Sequence, residues 1–312
     1  MDRARWITSG LGAAAIAACL AAACSKATDV DDDGGADTDT DVDTDGHVAE
    51  LSGPCAPGEL VGGFEAASRD TGTVQYAVVS GSIADSVNWN TTPALVEAEG
   101  ACSVYEFSLW SCDPACTGGE ICDDTGACIA APLNMDLGTV HVTGLTSPVE
   151  MDPNSSFAYQ FQDIDNPPFV PGQPILLTAP GSEATGPVIL DGVGVTPLEV
   201  PNPDIVLEDA ADMQVTWTPS DDAEGGIHGE FMIDQHGASK RWIYCDWDDT
   251  GTGTVPASLT SLLCDDWTGL PSFATADLYR RTVDSMETAD GCAELRVLSQ
   301  VKLNLNFDCP AP

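Results

Sequence analysis

The stretch Leu295-Arg-Val-Leu-Ser-Gln-Val-Lys-Leu-Asn-Leu-Asn-Phe307 decides the fold class. Leu295, Val297, Val301, Leu303, Leu305 and Phe307 alternate with Arg296, Gln300, Lys302, Asn304 and Asn306. A period of two is that of a strand with one apolar and one polar face. Shorter alternations occur upstream: Val140 and Val142 sit among Thr139, His141 and Thr143, Val215 is two residues from Trp217, and Ile227, Phe231 and Ile233 lie among His228, Glu230 and Asp234. Turn formers such as Asn166-Pro167-Pro168, Pro171-Gly172, Pro180-Gly181 and Asp191-Gly192 separate these segments. Many short strands between Gly and Pro turns predict a mainly β chain, built as antiparallel β-sandwich with a small disulfide-rich module. Residues 258–263 and 273–279 read as short helices.

The other end of the chain reads as an address. Asp2, Arg3 and Arg5 precede an Ala-rich apolar stretch over residues 6–23 that Thr8, Ser9, Gly10 and Gly12 interrupt. That pattern fits the charged and apolar parts of an export signal better than a spanning helix, which needs roughly 20 strongly apolar residues. The stretch closes on Leu20-Ala21-Ala22-Ala23-Cys24-Ser25, which resembles the lipobox of bacterial lipoproteins. The resemblance implies a signal peptide over residues 1–23, a lipid on Cys24, and a mature chain anchored at the outer membrane or cell surface, since Ser25 rather than Asp follows the cysteine. Ile16-Ala17-Ala18-Cys19 makes Cys19 the alternative lipidation site; Cys24 is favoured because polar sequence starts directly after it.

Residues 24–50 form an Asp-rich tether with too few apolar side chains to fold alone. Within it, Asp41, Asp43, Asp45 and Gly46 match the first half of an EF-hand-like calcium loop, but the twelfth position is Ser52, where a bidentate Glu belongs. Calcium is thus the candidate ion for this run, with a plain solvated linker as the favoured reading. The whole chain carries 50 acidic and 10 basic residues, a net charge of -40. Only nine of those acids lie between Asp29 and Asp45, so the folded part is acidic too. Such a surface repels phosphate backbones and excludes nucleic acid as a partner. The partners expected are the lipid membrane and a surface protein or glycan.

Setting aside Cys19 and Cys24 leaves ten of the twelve cysteines, an even number suited to five disulfides in an oxidising compartment. Cys55, Cys102, Cys112, Cys116, Cys122 and Cys128 fall in one group, and Cys245, Cys264, Cys292 and Cys309 in another. Two even groups predict two self-contained domains: a small β domain over residues 51–134, with a cysteine-rich module at 112–128, and an antiparallel β-sandwich over 135–312. The module, Cys112-Asp-Pro-Ala-Cys116-Thr-Gly-Gly-Glu-Ile-Cys122-Asp-Asp-Thr-Gly-Ala-Cys128, is too short for a core and needs staples. Zinc is the competing use of four cysteines, but the spacing lacks paired C-x2-C knuckles. Spacing alone permits three connectivities.

The module resembles EGF-like ones, and that likeness implies Cys112 with Cys122 and Cys116 with Cys128. Together with Gly100-Ala-Cys102 and Asp136-Leu-Gly-Thr-Val-His-Val-Thr-Gly144, it also resembles myxobacterial-type lipoproteins with Asp-rich linkers. That resemblance covers the signal, tether and module, and implies location and architecture without an activity.

Enzyme motifs are absent: there is no G-x-S-x-G, H-E-x-x-H, Walker loop or dinucleotide fingerprint. Ser299-Gln-Val-Lys302 matches S-x-x-K, but residues three apart in a strand face opposite ways. Carboxylate pairs suited to glycoside hydrolysis are uninformative in so acidic a chain. His228, Glu230, Asp234 and His236 share parity, yet the two histidines would stand about 26 Å apart in an extended strand, beyond one metal ion. A polar solvent face is the expectation for them. Trp242, Tyr244, Trp247 and Trp267 form a candidate aromatic platform for sugar rings, with burial in the core as the competing use. The expected function is a structural or interaction role at the cell surface, not an enzyme. A glycan- or calcium-binding module is the alternative, followed by a secreted-type hydrolase.

Overall fold

The computed structural model describes residues 50–89, 91–106, 112–183, 185–221, 225–234, 241–265, 267 and 273–310. The signal peptide, Cys19, Cys24, the tether up to residue 49, the calcium candidates Asp41, Asp43 and Asp45, and His236 lie outside the described residues.

In chain order the first strands are β1 (Leu60–Asp70), β2 (Gln75–Ile83), β3 (Ala94–Glu99), β4 (Cys102–Glu106), β5 (Glu120–Cys122), β6 (Cys128–Ala130), β7 (Val140–Thr143), β8 (Val149–Met151) and β9 (Tyr159–Phe161). Next come β10 (Pro174–Ser182), β11 (Gly186–Val193), β12 (Asp204–Glu208), β13 (Met213–Thr216), β14 (Gly226–Asp234), β15 (Arg241–Trp247) and β16 (Thr252–Val255). Helix α1 (Ala257–Cys264) precedes the two longest strands, β17 (Phe273–Thr288) and β18 (Gly291–Asp308).

The alternating stretch lies inside β18, which organises the largest sheet. One edge of β18 pairs antiparallel with β17; the other takes β1 along its first half and β12 along its second, both parallel. The sheet has ten strands in the order β3-β4-β15-β14-β17-β18-β1-β2-β9, with β12 branching from β18. Strands β11-β10-β7-β8 form a second sheet, and β13-β16 and β5-β6 form two-stranded ribbons. The chain is mainly β, as its period predicts, and its pairing is mixed.

Alternation along β18 feeds two apolar cores on one side of the large sheet. Leu295 and Val297, with Phe64, Ala66 and Val79, pack against Val140, Val142, Ile175, Leu177, Val188 and Leu190 of the four-stranded sheet. Leu303 and Leu305, with Ile227, Phe231, Ile243 and Leu278, pack against Leu207, Val215, Val255, Leu259 and Leu263. Each such side chain contributes about 1.5–3 kcal/mol on leaving water. Between the cores runs a polar seam. Ser299 Oγ accepts from the Leu198 amide at 2.9 Å, Thr282 Oγ1 donates to the Val193 carbonyl at 2.9 Å, and Arg280 donates to the carbonyls of Thr196 and Pro197 at 3.0 Å. The chain crosses there from β11 towards β12, and a backbone buried in passing must find partners.

Several expectations change here. Residues 273–279, read as a helix, are the start of β17; β14 and β18 flank them, and two ladders outweigh the weak local preference of Ala-Thr-Ala-Asp. The helix expected at 258–263 is α1. The boundary expected between residues 134 and 135 is crossed by the pairings of β1 with β18 and of β4 with β15. Cys55–Cys292 and Cys102–Cys245 cross it as well. Even cysteine counts permit each segment to close its own bridges but do not require it, and residues His47–Pro312 form one unit. Cys264–Cys309 ties α1 to the end of β18. In the small module the bridges are Cys112–Cys122 and Cys116–Cys128, around the β5-β6 hairpin. The sulfurs of Cys112, Cys116 and Cys128 lie within 4.8 Å of one another, but each is in a disulfide and offers no thiolate to zinc.

Candidate ligand cleft on the outer face of the large sheet

The polar half of the alternation leaves the side of the large sheet turned away from both cores unusually rich in charge and aromatic rings. Register places His228 beside Asp246 on one flank and Tyr279 on the other, and Glu230 beside Tyr244 and Asp277. β18 adds Glu294, Arg296 and Gln300, and β1 adds Glu65 and Arg69. Pro54, Cys55, Pro57 and Leu60 on one side, and Asn88, Thr91, Thr92 and Pro93 on the other, wall part of this face into a cleft of about 420 Å³, floored by His228, Glu230, Trp242, Tyr244, Arg281, Glu294 and Arg296. A polar recess of about 210 Å³ adjoins it, bounded by Glu65, Arg69, Tyr279 and the shared His228, Glu230, Arg281 and Arg296. Cys55–Cys292 fastens the first wall to β18, and the Cys55 amide donates to Glu294 Oε1 at 2.7 Å.

Hydrogen bonds running sideways across the strands hold the floor. His228 is 6% exposed, its Nδ1 lies 2.8 Å from Asp246 Oδ1, and its Nε2 lies 3.4 Å from Glu230 Oε1. Its ring sits between those of Tyr244 and Tyr279, at 5.6 and 5.8 Å. The Tyr279 hydroxyl donates to Glu230 Oε2 at 3.1 Å, and Arg281 donates to Asp246 at 3.0 Å. Arg69 donates to Glu65 at 2.5 Å and also to Gln300, whose amide donates to Asp277 at 2.7 Å. Beneath Tyr279, Ala67, Val78 and Leu298 make a small apolar cluster.

This arrangement separates the carboxyls. Burial works to raise Glu230, but the hydrogen bond and charge of His228, the Tyr279 hydroxyl and Arg281 outweigh it and hold Glu230 below the usual carboxylate range. Partial desolvation also works to raise Asp246, but His228 and Arg281 outweigh it and hold this carboxyl low. Asp277 is pushed up, first by burial and then by the charge of Glu230, despite the Gln300 hydrogen bond. Burial and Glu230 also raise the phenols of Tyr244 and Tyr279, so both stay neutral donors.

The candidate residues from the sequence are divided by this geometry. His228 and Glu230 do lie together, as a largely enclosed floor instead of the solvent face expected. Of the candidate sugar platform, Trp242 and Tyr244 line the cleft, whereas Trp247 and Trp267 pack against the opposite core. Trp247 stacks on Trp217 at 5.8 Å and lies over Gly229 and Gly253, where any Cβ would collide with its ring. Trp267 packs edge-on against Phe307 at 5.5 Å. Even parity within a strand cannot join them, because Trp247 is five residues from Trp242 and faces the other way. Ser299 and Lys302 lie on opposite faces, Ser299 buried in the seam and Lys302 exposed.

The sequence reading did not single out Asp246, Tyr279, Arg281 or Arg69 as site residues. Arg296 was visible as a member of the polar half of β18, but the others are brought alongside only by pairing of β15, β17 and β1. A larger groove of about 700 Å³ runs beside residues 50–54, and its facing cation and anion, Arg281 and Asp246, already bind each other.

No family model and no curated protein matches the chain. Among solved structures, the FN1–FN3 domains of chicken CNTN1 align over 67% of this chain at 9% identity with a TM-score of 0.16, and the chain spans 65% of that structure. The fold and the cleft therefore define the chain by their own chemistry, as a mainly β, disulfide-bridged protein.

Proposed function

We propose that this chain is an exported, lipid-anchored interaction protein: Cys24 holds it to the membrane, residues 24–50 act as a tether, and the β head engages a partner through the cleft on its outer face. One observation carries the reading. A walled cleft combines aromatic surface, guanidinium groups and carboxylates on a floor already fixed by its own hydrogen bonds, so little conformational entropy is lost on binding. The five disulfides suit an oxidising compartment outside the cytoplasm. The nearest thing to a catalytic group, His228, has carboxylates at both ring nitrogens and no hydroxyl or thiol nucleophile hydrogen-bonded to it among the described residues, which favours binding over hydrolysis.

Two measurements test the reading. Labelled palmitate should enter the wild-type chain and be lost in Cys24→Ala; retention in that variant moves the anchor to Cys19 or removes it. The anchorless Cys24→Ala chain, added to cell envelopes, should be retained by them, and adding Trp242→Ala should release it. Equal retention of both forms sinks the assignment of the cleft.

A further inference from the structure

Resting on the interaction reading, we propose that the cleft takes a saccharide bearing a carboxylate, its ring lying on Trp242 and Tyr244 and its acid group against Arg296. The argument begins with where the cations are. The described residues contain five arginines: Arg69, Arg241, Arg280, Arg281 and Arg296. Three of them, Arg69, Arg281 and Arg296, bound the polar recess, although the chain carries a net charge of -40. Two of the three are committed. Arg69 holds Glu65 and Gln300, and Arg281 holds Asp246.

Arg296 differs. Its side chain is 41% exposed, and its ion pair is a long one, 3.9 Å from Nε to Glu294 Oε2, while the other oxygen of Glu294 is taken by the Cys55 amide. The two terminal nitrogens of Arg296 make no hydrogen bond among the described residues, so the fork that recognises carboxylates bidentately is left facing the cleft. Tyr244 adds a second donor. Its hydroxyl also lacks a hydrogen-bond partner among the described residues, and its raised phenol keeps the proton.

The shape of the donor wall selects a ring-bearing acid over a simple anion. Trp242 and Tyr244 meet at 5.9 Å, and Tyr244 meets Tyr105 at 5.4 Å, giving contiguous aromatic surface beside the guanidinium. Sugar rings present C–H bonds to such faces and hydroxyls to the flanking Glu230 and Glu294 carboxylates. A bare phosphate or a metal ion would leave the aromatic half unused. A long polyanion would meet the acidic surface beyond the cleft and be repelled, so a short oligosaccharide with one acid group in the recess fits best.

The probes are trigalacturonate, a hyaluronan tetrasaccharide and sialyllactose, each beside its methyl ester, titrated calorimetrically into the Cys24→Ala chain. At least one acid form should bind, and esterification should weaken it by about tenfold or more. Arg296→Gln should abolish the difference between acid and ester while leaving ester binding in place, and Trp242→Ala should remove both, with melting temperatures confirming that each variant folds. Equal binding of acid and ester by the wild type, no binding of any probe, or equal affinity for a tripeptide carboxylate overturns the proposal. If no sugar binds yet retention on envelopes still depends on Trp242, the saccharide falls and the interaction reading survives. If retention ignores Trp242, both fall.

Discussion

Arg280 and Arg281 are neighbours in the chain and opposites in the fold. Arg280 points into the seam between the two cores, is 1% exposed, and spends its donors on Asp249 at 2.7 Å and on the carbonyls of Thr196, Pro197 and Thr218. Asp249 in turn accepts from the Trp217 indole at 2.6 Å and the Ser220 amide at 3.1 Å. Arg281 points out to the cleft, where its ion pair is with Asp246, a largely exposed carboxylate. The same side chain closes a structural network on one face and borders open, donor-rich space on the other. A charge buried and fully satisfied is architecture; one paired with an exposed carboxylate at the rim of a cleft helps fix the floor on which a ligand would lie.

The comparison is broken most severely by Arg280→Met, which leaves the buried Asp249 carboxylate without its cation and should cost about 3–5 kcal/mol by chemical denaturation, whereas Arg281→Met should cost no more than about 1 kcal/mol. Similar losses for both would show that the faces are not distinct. Next in size, the double variant Cys55→Ser, Cys292→Ser removes a bridge spanning 237 residues and should lose about 2–5 kcal/mol. Because the same bridge fastens a cleft wall, it should also weaken ligand retention more than its stability loss explains, read as retention at matched folded fraction. Gly229→Ala pushes a Cβ to 2.8 Å from the Trp247 ring, an overpacking of about 1–3 kcal/mol that should leave the outer face and its ligand untouched.

Acid sharpens the outer face further. Glu230 and Asp246 are held below the usual carboxylate range, so the stability they lend is complete above their unfolded values near about 4 and is lost as pH falls through their lower folded values. Asp277, raised by burial, works in the opposite sense and gains as pH falls. The readout is therefore a difference: between pH 6 and pH 2 the melting temperature of the wild type should fall more steeply than that of His228→Gln, and parallel curves would mean the histidine does not hold the two carboxyls. The smallest effect expected is in the cysteine module. Asp123 is held low by the Ala127 amide and then by the Thr125 hydroxyl, so acid should loosen that loop, detected as faster exchange of the Thr125 and Ala127 amides, without shifting global unfolding.

Much of the fold could be read along the chain because β structure writes its burial at period two. The thirteen residues from Leu295 lie in the strand they predict, and their apolar half is the part that faces the cores. Residues 273–279 were misread because Ala-Thr-Ala-Asp-Leu-Tyr lacks a decisive period and its strand is imposed by neighbours on both edges. The site was legible in fragments. His228, Glu230, Trp242 and Tyr244 stood out by residue type, but Trp247 and Trp267 stood out equally and belong to the core. Trp247 is seated by the room that Gly229 and Gly253 leave, which no local pattern marks as a place for an indole, and Trp267 by Phe307 at the far end of β18.

By itself the amino-acid order determined the β class, the net acidity, and the cysteine supply that permits five bridges, because composition and short-range periodicity act through nearest neighbours. It also carries the export and lipidation pattern at Cys24, which stands as an expectation to be tested. Only the tertiary structure decided which cysteines meet, that strands from both halves share one sheet, and that Arg296, Tyr244 and Trp242 border one cleft. Those outcomes depend on long-range register and bridging, where residues up to 237 apart along the chain are brought side by side. A pattern confined to ten or twenty residues holds no record of that partner.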